Sequence, residues 1–426
     1  MQGSVAARCL CFSALLDGRV ATLRYFFDVV CPFAYLASTR IEALAAEANA
    51  ELVWEPVLLG GLLKALGGAA DPMETMVPSK ARLTVLDYHR QASLLGVALR
   101  RPPEHPRRTV DAMRLVAAAP AELVPPLAHA LFRAYWVEGL DVTDRAVLRR
   151  IAGGHGLDAD AVWGDPVRKE RLRQRTDAAL REGVFGVPTF VVGDDLVWGV
   201  DRLPRVRALL GLPRGPEGGV APPSAAPPGG KIEWFHDFAS PFSYLSTAAV
   251  RVVADRAGAQ LVDTPILLGA LFKEIGAPNV PLFAMSPPRQ RWQVRDMQAW
   301  AEERGLPFRF PKVFPLRTVT ALRVALVDPA VTDAVYRAAW ADDLDIGQDE
   351  VLASVLGEAG FDARALLDAT RDPAIKDRLR ANTDHAREVG ACGVPSFLVN
   401  GADLFWGQDR LAQVAHALAG WHTPVS

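Results

Sequence analysis

Hydrophobic and polar positions along this chain pass through the same order of periods twice. Thr22 to Val29 alternates and is rich in aromatic residues, which predicts a strand, and Ile232 to Phe238 does the same. A helical stretch follows each, Pro32 to about Ala48 and Pro241 to about Ala257. Second short strands are expected at Leu52 to Pro56 and at Leu261 to Pro265. A strand, a helix and a strand in that order make a right-handed βαβ unit with parallel strands. Mainly helical periodicity then runs from roughly Leu62 to Ala179 and from Leu271 to Arg387. Each copy ends with a strand (Thr189 to Val192, Ser396 to Val399), a glycine turn, and a shorter strand (Leu196 to Trp198, Leu404 to Trp406). A last helix begins near Asp201 and near Asp409. The expected fold class is α/β: two thioredoxin-like domains, each with a helical insertion between a βαβ half and a ββα half.

The repetition is also literal. Phe27-Asp28-Val29-Val30-Cys31-Pro32-Phe33-Ala34-Tyr35-Leu36 returns as His236-Asp237-Phe238-Ala239-Ser240-Pro241-Phe242-Ser243-Tyr244-Leu245, an offset of 240 − 31 = 209 residues. The same offset relates Gly60 to Gly269, Asp87 to Asp296, and Arg108-Thr109 to Arg317-Thr318. It drifts to 395 − 188 = 207 where Val187-Pro188 meets Val394-Pro395. Solenoid units are roughly 20–50 residues, so each copy is a whole domain. Residues 213–230 read PRGPEGGVAPPSAAPPGG, a semi-extended linker in which nothing is expected to pack. The domain boundaries follow: an N-terminal extension over 1–21, domains over 22–212 and 231–421, and the linker between them.

Composition narrows the function. Half of the 426 residues are apolar, enough for two full cores without disulfide support. The formal net charge is −2 with both signs dispersed, which gives no footprint for nucleic acid. No run of about 18 apolar residues suggests a membrane span. The four cysteines have neither disulfide-framework nor zinc-site spacing, so no metal is expected. The apolar run from Cys9 to Leu16 is short for a signal peptide, and a reducing cytoplasmic location is expected.

Chemistry concentrates at two junctions. Cys31-Pro32 and Ser240-Pro241 stand where the first strand meets the first helix. Serine is a favoured N-cap and proline a favoured first helical residue, so capping alone accounts for Ser240. The same place suits an anion, because a helix N-terminus carries free N–H groups and partial positive charge. Ser240 could then donate to a bound thiolate, and Cys31 could itself become one, with its pKa lowered. Gly186-Val187-Pro188-Thr189 and Gly393-Val394-Pro395-Ser396 each precede a strand. A trans proline would simply start the strand. A cis one would turn the backbone of Val187 or Val394 outward to pair with a peptide-like ligand, and cis is the expectation here. Asp201 and Asp409 read either as caps or as anchors for a ligand ammonium. Arg202 and Arg410 read as surface or salt-bridging residues, and Trp198 and Trp406 as core or pocket wall. Lys80 and Arg82, with their counterparts Arg289 and Arg291, read as solvated charges or as steering groups for an anion. Cys392 reads as a buried thiol, and His236 receives no role.

As an ordered set, Asp237 to Leu245, Leu268-Gly269-Ala270-Leu271-Phe272-Lys273, Gly393 to Ser396 and Trp406-Gly407-Gln408-Asp409-Arg410-Leu411 resemble the DsbA-like thioredoxin superfamily. More narrowly, each copy resembles the 2-hydroxychromene-2-carboxylate isomerases and kappa-class glutathione transferases. The resemblance implies a bound glutathione and a small-molecule substrate. Ser240 would contact its sulfur, Val394 before Pro395 would pair with the cysteinyl backbone, and Gln408 and Asp409 would hold the γ-glutamyl end. In the isomerases the thiolate would add reversibly to an unsaturated ring. Val187, Pro188 and Asp201 are the first copy's counterparts, but Val200 replaces Gln408. The family asparagine expected directly after Gly276 is absent, with Asn279 three residues on. Cys31 leans towards the oxidoreductases, yet Ala34 stands where their second cysteine would be. Three functions therefore remain: a glutathione-dependent isomerase or transferase, a thiol oxidoreductase working through Cys31, and a non-catalytic binding protein. Related families form homodimers, so the fused copies are expected to act as an intramolecular pseudo-dimer in a monomeric chain.

Overall fold

The computed structural model describes residues 20–69, 71–223 and 229–423. The expectation for the first 21 residues, including Cys9 and Cys11, lies almost wholly outside the described residues, as do residues 224–228 of the linker. The chain separates into two compact units.

The first copy runs β1 (Thr22–Phe27), α1 (Pro32–Glu47), β2 (Glu51–Pro56), α2 (Leu59–Ala65), α3 (Pro78–Leu94), α4 (Val110–Ala118), α5 (Val124–Trp136), α6 (Arg145–Gly154), α7 (Ala159–Gly164), α8 (Pro166–Arg181), β3 (Thr189–Val192), β4 (Asp195–Trp198) and α9 (Leu203–Leu209). The second copy runs β5 (Lys231–His236), α10 (Pro241–Ala257), β6 (Gln260–Pro265), α11 (Leu268–Ile275), α12 (Pro287–Glu303), α13 (Val319–Val327), α14 (Thr332–Trp340), α15 (Asp349–Glu358), α16 (Ala363–Ala369), α17 (Pro373–Glu388), β7 (Ser396–Val399), β8 (Asp403–Trp406) and α18 (Leu411–Leu418).

Each copy builds a four-stranded sheet, in the orders β2-β1-β3-β4 and β6-β5-β7-β8. The first pair is parallel and the other two antiparallel, as a βαβ half joined to a ββα half requires. The central strands β1 and β5 are covered on both faces, which explains why they read as aromatic runs: Tyr25, Phe27, Trp234 and Phe235 are fully buried. The fold is the expected α/β thioredoxin-like domain with a helical insertion, present twice.

Two details differ from the sequence reading. The linker is not devoid of packing: Val220 is buried, and Arg40 Nη2 donates to Gly219 O at 2.9 Å. The units also do not follow the repeat boundaries strictly. The first comprises residues up to Thr75 and Gln91–Val220, and the second comprises Met76–Arg90 and Ala221 onwards. Most of α3 thus belongs to the second unit, where Leu83 joins a cluster with Phe235, Ile266, Leu271, Cys392, Val394 and Leu404.

Candidate functional site

The turn between the first strand and first helix is held by one buried carboxylate in each copy. Asp28 accepts from Val30 N (3.1 Å), Thr109 Oγ1 (2.8 Å) and Leu59 N (2.9 Å). Asp237 accepts from Ala239 N (2.9 Å), Thr318 Oγ1 (2.8 Å) and Leu268 N (2.8 Å). One side chain therefore ties the turn to the start of the second helix and to the helical insertion. Burial pushes both carboxyls up, Asp237 to about 6, against the pull of those donors. A tryptophan braces the same turn: Trp136 Nε1 donates to Val29 O at 2.9 Å, and Trp340 Nε1 to Phe238 O at 2.8 Å. The repeat contained the Asp and Thr signals, but their conjunction needed the fold, because 81 residues separate the partners in each copy.

On this platform sit Cys31 and Ser240, each the N-cap of its helix with proline next. Ser240 is 4 % exposed; its Oγ accepts from Ser243 N at 3.2 Å and donates to Val394 O at 3.1 Å. It is a true cap and at the same time touches the loop proposed to hold a ligand. Cys31 is 7 % exposed, its side chain makes no cap, and Sγ lies 3.3 Å from Val187 O. The helix field does not dominate there. Burial pushes the Cys31 thiol up to about 12, with the Phe33 and Ala34 amides opposing and Asp28 adding to the rise. The expected lowering of its pKa is therefore reversed, since desolvation of a closed site outweighs two N–H groups. Ala34 at the fourth position of the motif leaves no second thiol for a dithiol cycle.

Val187-Pro188 and Val394-Pro395 are both cis, as expected, and Val187 and Val394 are buried. His105-Pro106 and Phe314-Pro315 form a further cis pair at the 209-residue offset, which the sequence reading did not anticipate. The last turn is tight in both copies. Gly199 and Gly407 take φ of 102° and 113°, and a Cβ on either would meet the carboxylate Oδ1 of Asp201 or Asp409 at 2.6 Å. Glycine is required there because the aspartate folds back over its backbone. Asp201 lies in a 3₁₀ turn ahead of α9, and Asp409 two residues before α18, so neither is the first residue of the last helix. Asp201 pairs with Arg202 at 2.9 Å and Asp409 with Arg410 at 3.0 Å. Arg202 is buried, contrary to a surface reading.

Between these arms the copies part. Gln408 is 2 % exposed, and neither its amide nitrogen nor its oxygen has a partner among the described residues. Its counterpart Val200 is buried and apolar. Asn279 returns to the site's edge: its Oδ1 lies 3.6 Å from where a Cβ on Gly269 would sit, in the first turn of α11. In the sequence Ala277 and Pro278 stand between Gly276 and Asn279, and the return to Gly269 needs the fold. Cys392 is buried with its thiol pushed up to about 12 by desolvation. His236 is buried in the core, 3.0 Å from Tyr336 Oη, and burial lowers its pKa to about 3. Arg289 is half-buried and Arg291 exposed. The described residues hold no group of three or more His, Cys, Asp or Glu able to bind a metal, and no helix among them is long and apolar enough to cross a membrane.

The DSBA-like thioredoxin domain model matches residues 22–211 and again 231–419. A 2-hydroxychromene-2-carboxylate isomerase of Sphingobium xenophagum is 28 % identical over 192 residues, 44 % of this chain and 97 % of the relative. Glutathione S-transferase kappa 1 of Rattus norvegicus is 27 % identical over 207 residues, 44 % of this chain and 90 % of that protein. A solved 2-hydroxychromene-2-carboxylate isomerase structure aligns with a TM-score of 0.41 at 25 % identity, covering 45 % of this chain and 94 % of the other. Each relative is thus the length of one copy. With both halves matched and both sheets built alike, this chain belongs to the DSBA-like thioredoxin domain family and carries that domain twice.

Proposed function

We propose that the protein is a glutathione-dependent isomerase or transferase acting on a small unsaturated or aromatic electrophile, with the second copy as the working site. The relatives named as isomerases and glutathione transferases support the reaction class. The observation that carries the choice of copy is Gln408, whose buried carboxamide has no partner, against Val200 in the first copy. A buried polar group left unpaired costs about 1–3 kcal/mol, and a polar ligand end at Gln408 and Asp409 would remove that cost.

The chain's own groups divide the work. The backbone of Val394 pairs with the cysteinyl peptide. The N-terminus of α10 offers N–H groups and partial positive charge to the sulfur, which favours the thiolate. Ser240 Oγ swings from Val394 O to donate to that sulfur when the ligand's peptide takes over the carbonyl. Asn279, at the edge of α11, is the second side-chain donor within reach of this region. Asp237 acts as a positioning residue, holding the turn that aims Ser240. In the first copy Cys31 and Val200 remove two of these contacts, so that copy serves as scaffold.

The test is the ionisation of bound glutathione. Ultraviolet difference spectra of the full chain mixed with glutathione should develop a thiolate band at neutral pH. That band should vanish in Ser240→Ala and persist in Cys31→Ala. A band lost in Cys31→Ala and kept in Ser240→Ala would reverse the assignment of copies, and no band in the wild type would remove the glutathione reading.

A further inference from the structure

The core of the second unit contains polar atoms that the same place in the first copy lacks. Trp234 and His236 lie on one face of β5, their rings stacked with centres 4.4 Å apart. His236 Nδ1 is 3.0 Å from Tyr336 Oη on α14, and Thr332 stands one helical turn before Tyr336. All four side chains are fully buried. Trp234 Nε1, His236 Nε2 and Thr332 Oγ1 have no partner among the described residues. Burial, and next the charge of Arg251, lower the pKa of His236 to about 3, so the imidazole is neutral at ordinary pH. A neutral imidazole has one N–H and one acceptor nitrogen. Whichever role Nδ1 takes towards Tyr336, Nε2 needs a partner of the opposite kind. The indole N–H needs an acceptor, and the threonine hydroxyl can serve either way.

In the first copy the counterparts are Tyr25 and Phe27 on β1 and, at an offset of 340 − 136 = 204, Phe132 and Ala128 on α5. Tyr25 Oη donates to Ala34 O at 2.6 Å, so none of these four side chains holds an unpaired polar atom. Trp54 on β2 closes the place, packing edge-on against Tyr25 and Phe27 with ring centres 5.0 Å and 5.2 Å away. Trp54 is in register with Tyr25, and the residue in register with Trp234 is Asp263 on β6. An indole wall is exchanged for a short carboxylate, which leaves room beside the rings of the second copy. Room and unpaired polar atoms together define a site for internal water, which makes about three hydrogen bonds where it is buried, whereas apolar cavities stay dry.

We propose that the second unit binds an ordered water in this core, held by His236 Nε2, Trp234 Nε1 and Thr332 Oγ1. The water accepts from the indole N–H, and the imidazole and the hydroxyl take its remaining bonds. It completes a polar clamp on the strand that leads into Asp237 and Ser240. Tyr336 meets His236 just before that turn, and Trp340 Nε1 donates to Phe238 O just after Asp237, both from α14. In the first copy the tryptophan contact is kept, while Phe27 and Phe132 meet as bare rings, 5.9 Å between centres. The inference is independent of the glutathione reading.

A crystal structure of the full chain, at a resolution that shows ordered solvent, should place a water within hydrogen-bond distance of His236 Nε2 and Trp234 Nε1. Thr332→Val, similar in shape but without the hydroxyl, separates a hydrated core from a dry one in solution. In a hydrated core it takes a partner from the water and should lower the melting temperature by about 2–4 °C, the shift of one lost hydrogen bond in a domain of this size. In a dry core it removes an unpaired hydroxyl and should raise the melting temperature. Absence of solvent at His236 Nε2 overturns the inference, and so does a Thr332→Val chain that melts above the wild type.

Discussion

Asp28 and Asp237 engage the same three donors at the same place, yet three residues on, one copy has Cys31 and the other Ser240. The scaffold of the site was kept while its reactive contents diverged. In the first copy a thiol sits closed against Val187 O, and the residue beside Asp201 is the apolar Val200. In the second, a hydroxyl caps its helix and meets Val394 O, and Gln408 holds two unpaired polar atoms. Single buried atoms without a partner occur in both copies, Arg107 Nε and Trp234 Nε1 among them, whereas Gln408 has both ends of its carboxamide unpaired.

The largest effect that could break this comparison lies at Ser240. Ser240→Ala and Ser240→Gly both delete the hydroxyl, but alanine is a poor N-cap and glycine a fair one. Alanine should cost about 1 kcal/mol of stability and glycine a few tenths. Turnover with glutathione should fall in both by about 10²–10³-fold, the scale of one lost donor to a developing anion. Activity loss that tracked stability instead would leave Ser240 as a cap alone.

Next in size is the thiol of the first copy. With its pKa pushed up to about 12, Cys31 should carry far less thiolate at neutral pH than an ordinary cysteine of about 8.5. Higher basicity recovers part of the loss, which leaves alkylation roughly 10²-fold slower than for a free thiol. Mass spectrometry of iodoacetamide labelling should show the Cys31 rate still rising about tenfold per pH unit at pH 9. A plateau below pH 8 would return the first copy to thiol redox chemistry.

Much of this was legible in the sequence because the repeat supplied its own control. Strand and helix order followed from periodicity, with boundaries displaced by two or three residues: β1 ends at Phe27 instead of Val29, and α11 begins at Leu268 instead of Leu271. The two Val-Pro junctions and the glycine turns were readable because proline and glycine constrain the backbone locally. The thiol's environment was not, because a helix N-terminus shows in the sequence while desolvation appears only with packing. Asp237 with Thr318, and α3 within the second unit, depend on contacts between distant segments. Asn279 stands three residues after Gly276, and its approach to Gly269 appears only in the fold.

Calorimetric titration of the full chain with glutathione, in parallel on Gln408→Val and Val200→Gln, tests the central claim most directly. The account predicts a stoichiometry near one and affinity about tenfold weaker in Gln408→Val, the scale of one lost buried hydrogen bond. Val200→Gln should leave affinity unchanged. Two equal sites, or binding weakened by Val200→Gln and untouched by Gln408→Val, would contradict it.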